Sequence, residues 1–168
     1  YNGNETSSAY GLCADEDFEN FYVIDSARNL YYYTLGTNLQ VGNAQYQHSV
    51  SLTSLTGTPR QMHLSTDGTK ILVTGQGDQL DLVTFNTAYT PNGGSTVETF
   101  DLRTLGFADG NLYGLAVKPD LSEATVADIA NTTLYTVSLQ PDSTLTWPSS
   151  IEWAGGIAPA APANGETD

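Results

Sequence analysis

The chain has 168 residues, enough for one domain, and its 19 acidic and 5 basic residues give a formal net charge of −14. This excess of negative charge would repel a phosphate backbone, so nucleic acid is not expected among its partners. No run approaches the roughly 18 apolar residues that a membrane-spanning helix needs, so no membrane span is predicted. We interpret the spread of acidic residues as favouring solubility rather than as an acidic binding surface.

The order of similar segments along the chain predicts a lead-in, three repeated units and a tail. Residues 1–9 are a polar lead-in. The units cover residues 10–56, 57–108 and 109–155, and each is predicted to contain four short strands. Residues 156–168 are rich in Ala and Pro and then polar, which is typical of an extended or disordered tail.

The second unit shows the repeated pattern most clearly. An Asp67-Gly68 pair separates a run that ends at Ser65 from the β-branched run 70–74. Asp-Gly between two such runs is a strong hairpin signal, because glycine tolerates a positive φ. The predicted strands are 10–14, 21–25, 30–35 and 46–55 in the first unit, 61–65, 70–74, 80–85 and 97–105 in the second, and 113–117, 124–128, 134–139 and 145–153 in the third.

Four short strands repeated about every 50 residues are typical of the blades of a β-propeller. A β-sandwich with accidental internal similarity is the alternative. Propellers close with about four to eight blades, so three blades alone would leave two apolar sheet faces in water. The sequence therefore predicts an all-β chain within a larger ring of about six to eight blades, with about seven favoured. A partner fragment or a second copy would supply the remaining blades, giving a native mass above 17.9 kDa.

The cysteine content and two glycosylation sequons indicate where the protein resides. Cys13 is the only cysteine, so no internal disulfide can form, and a buried free thiol is expected. Both Asn4 and Asn131 begin an Asn-x-Thr glycosylation sequon, and Asn131 falls in a predicted exposed loop. With few lysines and many Tyr, Thr, Ser and Asn residues, this favours a secreted, extracellular glycoprotein.

The stretch 57–74 resembles the blades of lactonase-type seven-bladed propellers. This family includes 6-phosphogluconolactonase-like proteins and the fungal 3-carboxy-cis,cis-muconate lactonizing enzymes. Their blades read Gly-x-x-Pro-Arg-His-x-x-Phe-Ser-Pro-Asp-Gly-Lys. The residues that match this pattern are Gly57, Pro59, Arg60, Ser65, Asp67 and Gly68, whereas Gln61 and Thr66 replace the family's histidine and second proline.

The resemblance implies an enzyme of the cycloisomerase or lactonase type that acts on a small anionic carboxylate or lactone. The alternative is a secreted or cell-surface propeller glycoprotein without catalysis, serving as a binding or structural module. Fold alone does not decide between them, because propellers host many unrelated functions. No cofactor and no metal are expected, since no Asp-x-Asp-x-Asp loop and no cluster of metal ligands occur.

Candidate site residues lie where the innermost strands enter the mouth of the central channel. Arg60 is suited to bind a carboxylate bidentately, although an inter-blade ion pair is an equal alternative. His63 is a candidate general acid or base, although a hydrogen-bonded structural role is more common for a lone strand histidine. Gln61, Tyr113 and Tyr10 are candidate substrate-binding residues. Strand alternation separates Arg60 from Gln61 and His63, so one shared pocket would require a bulge or a turn.

Overall fold

The computed structural model describes residues 8–36, 41–92, 95–105, 110–118, 122–138 and 152–157. Within these residues, twelve strands and two short 3-10 helices account for the regular structure. None of the helices described is long and apolar enough to cross a membrane. The strands are β1 (Ala9–Ala14), β2 (Asn20–Asp25), β3 (Asn29–Thr34), β4 (Gln45–Ser51), β5 (Pro59–Leu64), β6 (Lys70–Gly75), β7 (Gln79–Thr84), β8 (Thr96–Asp101), β9 (Leu112–Val117), β10 (Glu123–Asp128), β11 (Thr133–Ser138) and β12 (Glu152–Ile157).

The strands form three antiparallel sheets of four, each a meander in sequence order: β1-β2-β3-β4, β5-β6-β7-β8 and β9-β10-β11-β12. The first strands of the sheets are neighbours, with β5 lying between β1 and β9. Sheets that meet at their first strands and diverge outward have the arrangement of propeller blades. The predicted all-β architecture of three four-stranded units is therefore confirmed. We call them the first, middle and third units.

The fourth strands differ most from the prediction. In the third unit the strand is β12, Glu152–Ile157, rather than 145–153, so it includes two residues assigned to the tail. Its sequence contains two consecutive glycines, which are depleted in strands, and pairing with β11 overrides this local preference. In the middle unit β8 ends at Asp101, and the 3-10 helix Leu102–Leu105 replaces the rest of the predicted strand. The predicted tail beyond residue 157 lies outside the described residues.

The hairpin between β5 and β6 turns at the predicted Asp-Gly pair. Gly68 has a φ of +68°, which favours glycine. The Asp67 carboxylate accepts hydrogen bonds from the Ser65 hydroxyl at 2.6 Å and from the Thr69 backbone N–H at 3.0 Å. Burial tends to raise the pKa of Asp67, but these hydrogen bonds outweigh it and hold the pKa below its usual value. In the first unit Phe18 occupies the equivalent turn position with a φ of +56°.

Two hydrophobic cores join the three units, and the middle unit contributes to both. Strand alternation sends Ile71 and Val73 towards the first unit and Leu72 towards the third. The core between the first and middle units contains Tyr22, Ile24, Leu30, Leu52, Leu55, Met62, Leu64, Ile71, Val73, Val83 and Phe85. The core between the middle and third units contains Leu72, Leu80, Leu82, Leu102, Leu112, Leu115, Ala124, Val126 and Val137.

Candidate functional site

Each innermost strand carries a β-bulge at the same position. The residues on either side of Arg60 pair with adjacent residues of β6, so Arg60 is the extra residue of β5. Tyr10 is the extra residue of β1, and Tyr113 is the extra residue of β9. A bulge changes the direction of a side chain relative to the regular ladder and is common beside functional sites. The bulge anticipated for a shared pocket is therefore present, and it recurs in all three units.

The three bulged residues meet in a stack. The Arg60 guanidinium carbon lies 4.6 Å from the centroid of the Tyr10 ring and 4.6 Å from the centroid of the Tyr113 ring. Both distances fall within the range of a cation–π interaction. Gly11 permits the approach of β1 to β5, because a Cβ there would lie 3.1 Å from the Arg60 carbonyl oxygen. The first and third units thus hold the arginine of the middle unit from two sides.

The guanidinium of Arg60 does not make all of its possible hydrogen bonds within the described part of the chain. The side chain is half-buried, and its Nε atom is buried without a hydrogen-bond partner. Among the described residues, the ion pairs of 4.0 Å or less do not include Arg60. The inter-unit ion pair considered for this residue is therefore not formed there. A buried donor without a partner is unfavourable by roughly 1–3 kcal/mol unless something accepts its hydrogen bond.

The stack borders a pocket of about 570 Å³. The structure thus brings together four of the predicted site residues and adds two that the sequence did not indicate, Gly11 and Leu12. The lining residues are Tyr10, Gly11, Leu12, Arg60, Gln61 and Tyr113.

Gln61 ties the middle unit to the third as well as lining the pocket. Its Oε1 atom accepts a hydrogen bond from the Leu115 backbone N–H at 3.1 Å. This contact fixes the side chain, and its amide nitrogen is the group available to a ligand. Gln61 therefore combines a structural role with a place at the pocket wall.

His63 does not line the pocket. It lies on β5 opposite Leu72, a residue of the core between the middle and third units, and it is half-buried. Burial lowers the pKa of His63, which favours the uncharged imidazole at neutral pH. After the bulge at Arg60, strand alternation directs Gln61 and His63 to the same face. The predicted acid–base role of His63 at this pocket therefore lacks support from its position.

The acidic residues at the ends of the second strands serve the loops that follow. Asp25 accepts the Asn29 backbone N–H at 2.8 Å, and Asp128 accepts the Ala130 backbone N–H at 3.0 Å. Asn131 is exposed, and its side-chain amide donates to Asp128 at 2.6 Å. The other sequon residue, Asn4, lies outside the described residues. In the described part of the chain, no group of three or more possible metal ligands comes together.

The doublet Tyr-Gly was the sequence signal for the bulges. Tyr10-Gly11-Leu12 and Tyr113-Gly114-Leu115 are equivalent in the two flanking units. Arg60 occupies the same position in the middle unit.

No protein-family model matches the chain, and a search of curated proteins finds no match. Solved structures do resemble it. A putative 6-phosphogluconolactonase from Bacteroides fragilis superposes with a TM-score of 0.62 at 12% identity, covering 89% of this chain and 39% of that one. The Pseudomonas aeruginosa periplasmic gluconolactonase gives 0.57 at 17% identity, covering 89% and 40%. The β-propeller domain of Swd1 from Myceliophteria thermophila gives 0.56 at 10% identity, covering 90% and 43%.

The fold is a β-propeller. At these identities the likeness shows the fold alone. Two of these propeller structures carry lactonase names, as the resemblance of residues 57–74 anticipated. The chain spans about two fifths of the length of the solved structures it matches, in agreement with a partial propeller of three blades.

Proposed function

We propose that this chain forms part of a secreted β-propeller of the lactonase type, and that it binds a small anionic carboxylate or lactone beside Arg60. The observation that carries the proposal is the Arg60 side chain, which borders a pocket while its buried Nε atom has no partner among the described residues. A carboxylate is a suitable ligand for this guanidinium, because arginine presents parallel N–H groups to the two oxygens.

The charge distribution supports an anion at this place. The whole chain carries a net charge of −14, so an anionic ligand is repelled by most of its surface. Arg60 is one of only 5 basic residues. The tyrosines on its two faces leave the edge of the guanidinium as the route of approach. A flat carboxylate or an ester carbonyl can reach that edge in the plane of the guanidinium.

Lactone hydrolysis joins a water oxygen to the ester carbonyl carbon and then breaks the ring C–O bond. Negative charge develops on the carbonyl oxygen, where a positioned arginine stabilises it. Lactonization instead adds a carboxylate oxygen to a conjugated double bond and delivers a proton to carbon. The described lining contains no carboxylate and no imidazole, so the side chains in it that can transfer a proton are the phenols of Tyr10 and Tyr113.

That composition favours a second candidate, a propeller that binds an anion without transforming it. The two candidates share the Arg60 site and differ only in turnover. Secretion is part of both, and the exposed Asn131 sequon supports it. Intact-mass measurement of natural material before and after deglycosylation tests this part, and an unchanged mass would contradict it.

The site is tested with Arg60→Ala and Arg60→Lys in the natural assembly. The matched control is Arg103→Ala, which removes an exposed arginine of the same unit that pairs with Asp101. Gluconate is the probe for binding by calorimetry, and glucono-δ-lactone and cis,cis-muconate are the probes for turnover. We expect binding to fall at least tenfold in Arg60→Ala, partly in Arg60→Lys and not in the control.

Circular dichroism confirms that each variant is folded. Unchanged gluconate binding in folded Arg60→Ala would remove Arg60 from the site and reject the proposal. Binding that depends on Arg60, without turnover of either probe, would favour the binding module over the enzyme.

A further inference from the structure

The immediate surroundings of Arg60 are formed by this chain on both sides. Arg60 belongs to the middle unit, and the first and third units place Tyr10 and Tyr113 against its guanidinium, with each ring centroid 4.6 Å from the guanidinium carbon. With both neighbours in place, the Arg60 side chain is still only half-buried, and it borders the pocket. Its accessibility therefore does not depend on what precedes the first unit or follows the third.

The space that the guanidinium fills between the two tyrosine rings is one flat group thick. The rings of Tyr10 and Tyr113 lie close to the guanidinium carbon of Arg60, and the guanidinium itself is planar. A carboxylate bound by the two terminal nitrogens of an arginine lies in the guanidinium plane, because the two hydrogen bonds are parallel. The group attached to that carboxylate therefore leaves the guanidinium in the same plane, between the rims of the two rings.

The polar side chains of the described lining offer donors rather than acceptors. The guanidinium of Arg60 has donors only. The Oε1 atom of Gln61 is engaged by the Leu115 backbone N–H at 3.1 Å, so its amide nitrogen is the group left to donate. The hydroxyls of Tyr10 and Tyr113 can donate or accept. Because none of the described lining residues is a carboxylate, the lining suits a ligand that is rich in acceptors and poor in hydroxyl donors.

Exposed aromatic surface is the other component of the lining. Tyr10 is 47% exposed and Tyr113 is 40% exposed, and both border the same pocket although they belong to different units. Pockets that combine aromatic surface with a few fixed polar groups bind ligands with an apolar body and a small number of polar atoms. A polyhydroxylated anion would instead place its hydroxyl groups against these rings.

We propose that the anion bound beside Arg60 is an arylcarboxylate. Its carboxylate pairs with the terminal nitrogens of the guanidinium, and its ring, which is conjugated with the carboxylate and coplanar with it, lies against the rims of Tyr10 and Tyr113. Contacts between aromatic rings stabilise such a complex beyond the burial of their surfaces. The proposal rests on the proposed anion site and adds to it the chemical class of the ligand.

Calorimetry with three carboxylates in the natural assembly tests the ligand class. Benzoate has a flat ring, cyclohexanecarboxylate has the same number of carbons in a puckered ring, and gluconate has a chain of hydroxyl groups. All three carry a single negative charge at neutral pH, so they differ in the body of the ligand. We expect benzoate to bind about two- to tenfold more tightly than cyclohexanecarboxylate, and more tightly than gluconate by about tenfold or more.

Substitutions in the lining identify the groups that select the ligand, and the readout is the ratio of the benzoate and gluconate affinities. Tyr10→Leu and Tyr113→Leu should each lower this ratio about two- to tenfold, whereas Tyr10→Phe and Tyr113→Phe keep the rings and should preserve it. Tyr46→Leu is the matched control, because Tyr46 is 45% exposed on β4 and does not border the pocket.

Gln61→Glu tests the excess of donors. It keeps an oxygen for the Leu115 N–H but replaces the amide donor with an acceptor, so it should weaken benzoate more than gluconate and lower the same ratio. Circular dichroism verifies that each variant is folded.

The outcomes separate this proposal from the anion site on which it rests. Equal affinities for benzoate and cyclohexanecarboxylate would overturn the arylcarboxylate, as would a ratio that neither Tyr10→Leu nor Tyr113→Leu alters. Benzoate that binds no more tightly than gluconate, with both weakened in Arg60→Ala, would overturn the ligand class and leave the anion site standing. Binding that persists in folded Arg60→Ala, or the absence of binding for all three carboxylates, would reject the anion site and the arylcarboxylate together.

Discussion

The middle unit and the end units have the same four-strand plan but differ in how many neighbours they have. The buried face alternates along β10 of the third unit, whereas β6 of the middle unit is buried at five consecutive positions. Its apolar run Ile71-Leu72-Val73 reflects cover on both faces, as in other sheets with two neighbours. The comparison teaches that the strand pattern sets the fold of a unit, while the number of adjacent units sets how much each residue contributes to the free energy of unfolding.

The largest expected effect compares two leucines at equivalent positions. Leu80→Ala in the middle unit should lower the free energy of unfolding by about 2–5 kcal/mol, because it opens a cavity in a closed core. Leu134→Ala in the third unit should lower it by less than about 1 kcal/mol, since that side chain is 49% exposed.

Urea denaturation followed by circular dichroism measures both, in protein dilute enough to separate any associated copies. Equal losses in the two variants would show that the third unit has a covering neighbour even in the isolated chain.

A smaller effect is expected where a side chain joins two units by a hydrogen bond. The buried Tyr22 of the first unit donates its hydroxyl to the Tyr89 carbonyl of the middle unit at 2.7 Å. Tyr22→Phe should lower the free energy of unfolding by about 1 kcal/mol. Tyr46→Phe is the control, because its ring is 45% exposed, and it should change stability by less than about 0.5 kcal/mol.

The buried Tyr22 hydroxyl also predicts how the free energy of unfolding depends on pH. Burial, followed by the nearby Tyr32 and other groups, raises the pKa of Tyr22 above its usual value. The folded state therefore keeps this proton when the unfolded state loses it, so its contribution is complete below about pH 10 and declines as the pH rises further. The stability difference between wild type and Tyr22→Phe should narrow above that pH. A difference that widens would mean that the phenolate is stabilised in the fold.

The smallest effect concerns the turns between first and second strands. Phe18 has a φ of +56° where the middle unit has Gly68. Since a side chain is strained in this region, Phe18→Gly should stabilise the chain by about 0.5–1 kcal/mol. Phe18→Ala removes the ring but keeps a Cβ, so it should give little of that gain. If the two variants were equally stabilising in thermal unfolding, ring exposure rather than backbone strain would be the cause.

Much of this fold was predictable from local patterns. The Asp67-Gly68 turn and the β-branched run of β6 were found because turn chemistry and strand preference agree there. The bounds of the last strand were predicted wrongly, because its consecutive glycines are unfavourable in strands and it forms through pairing with β11. His48 is half-buried in contact with the Tyr32 ring, a contact between strands that the local sequence does not show.

The candidate site was predictable in its residues but not in its geometry. Arg60 could be selected because basic residues are scarce and because the stretch around it resembles a known blade. Its partners Tyr10 and Tyr113 belong to other units, and only the assembled sheets bring them to 4.6 Å. For His63, strand alternation correctly predicted that its side chain shares a face of the strand with Gln61. It did not predict which two units pack together at that face.

The repeated bulge has a consequence for how such a protein can change. A bulged residue is the one residue of its strand that the ladder does not pair, so its side chain can be exchanged while the neighbouring hydrogen bonds persist. Tyr10, Arg60 and Tyr113 hold this place in their units. New specificities could therefore evolve by single exchanges at one place per blade, each independent of the sequence changes that keep the blades packed together.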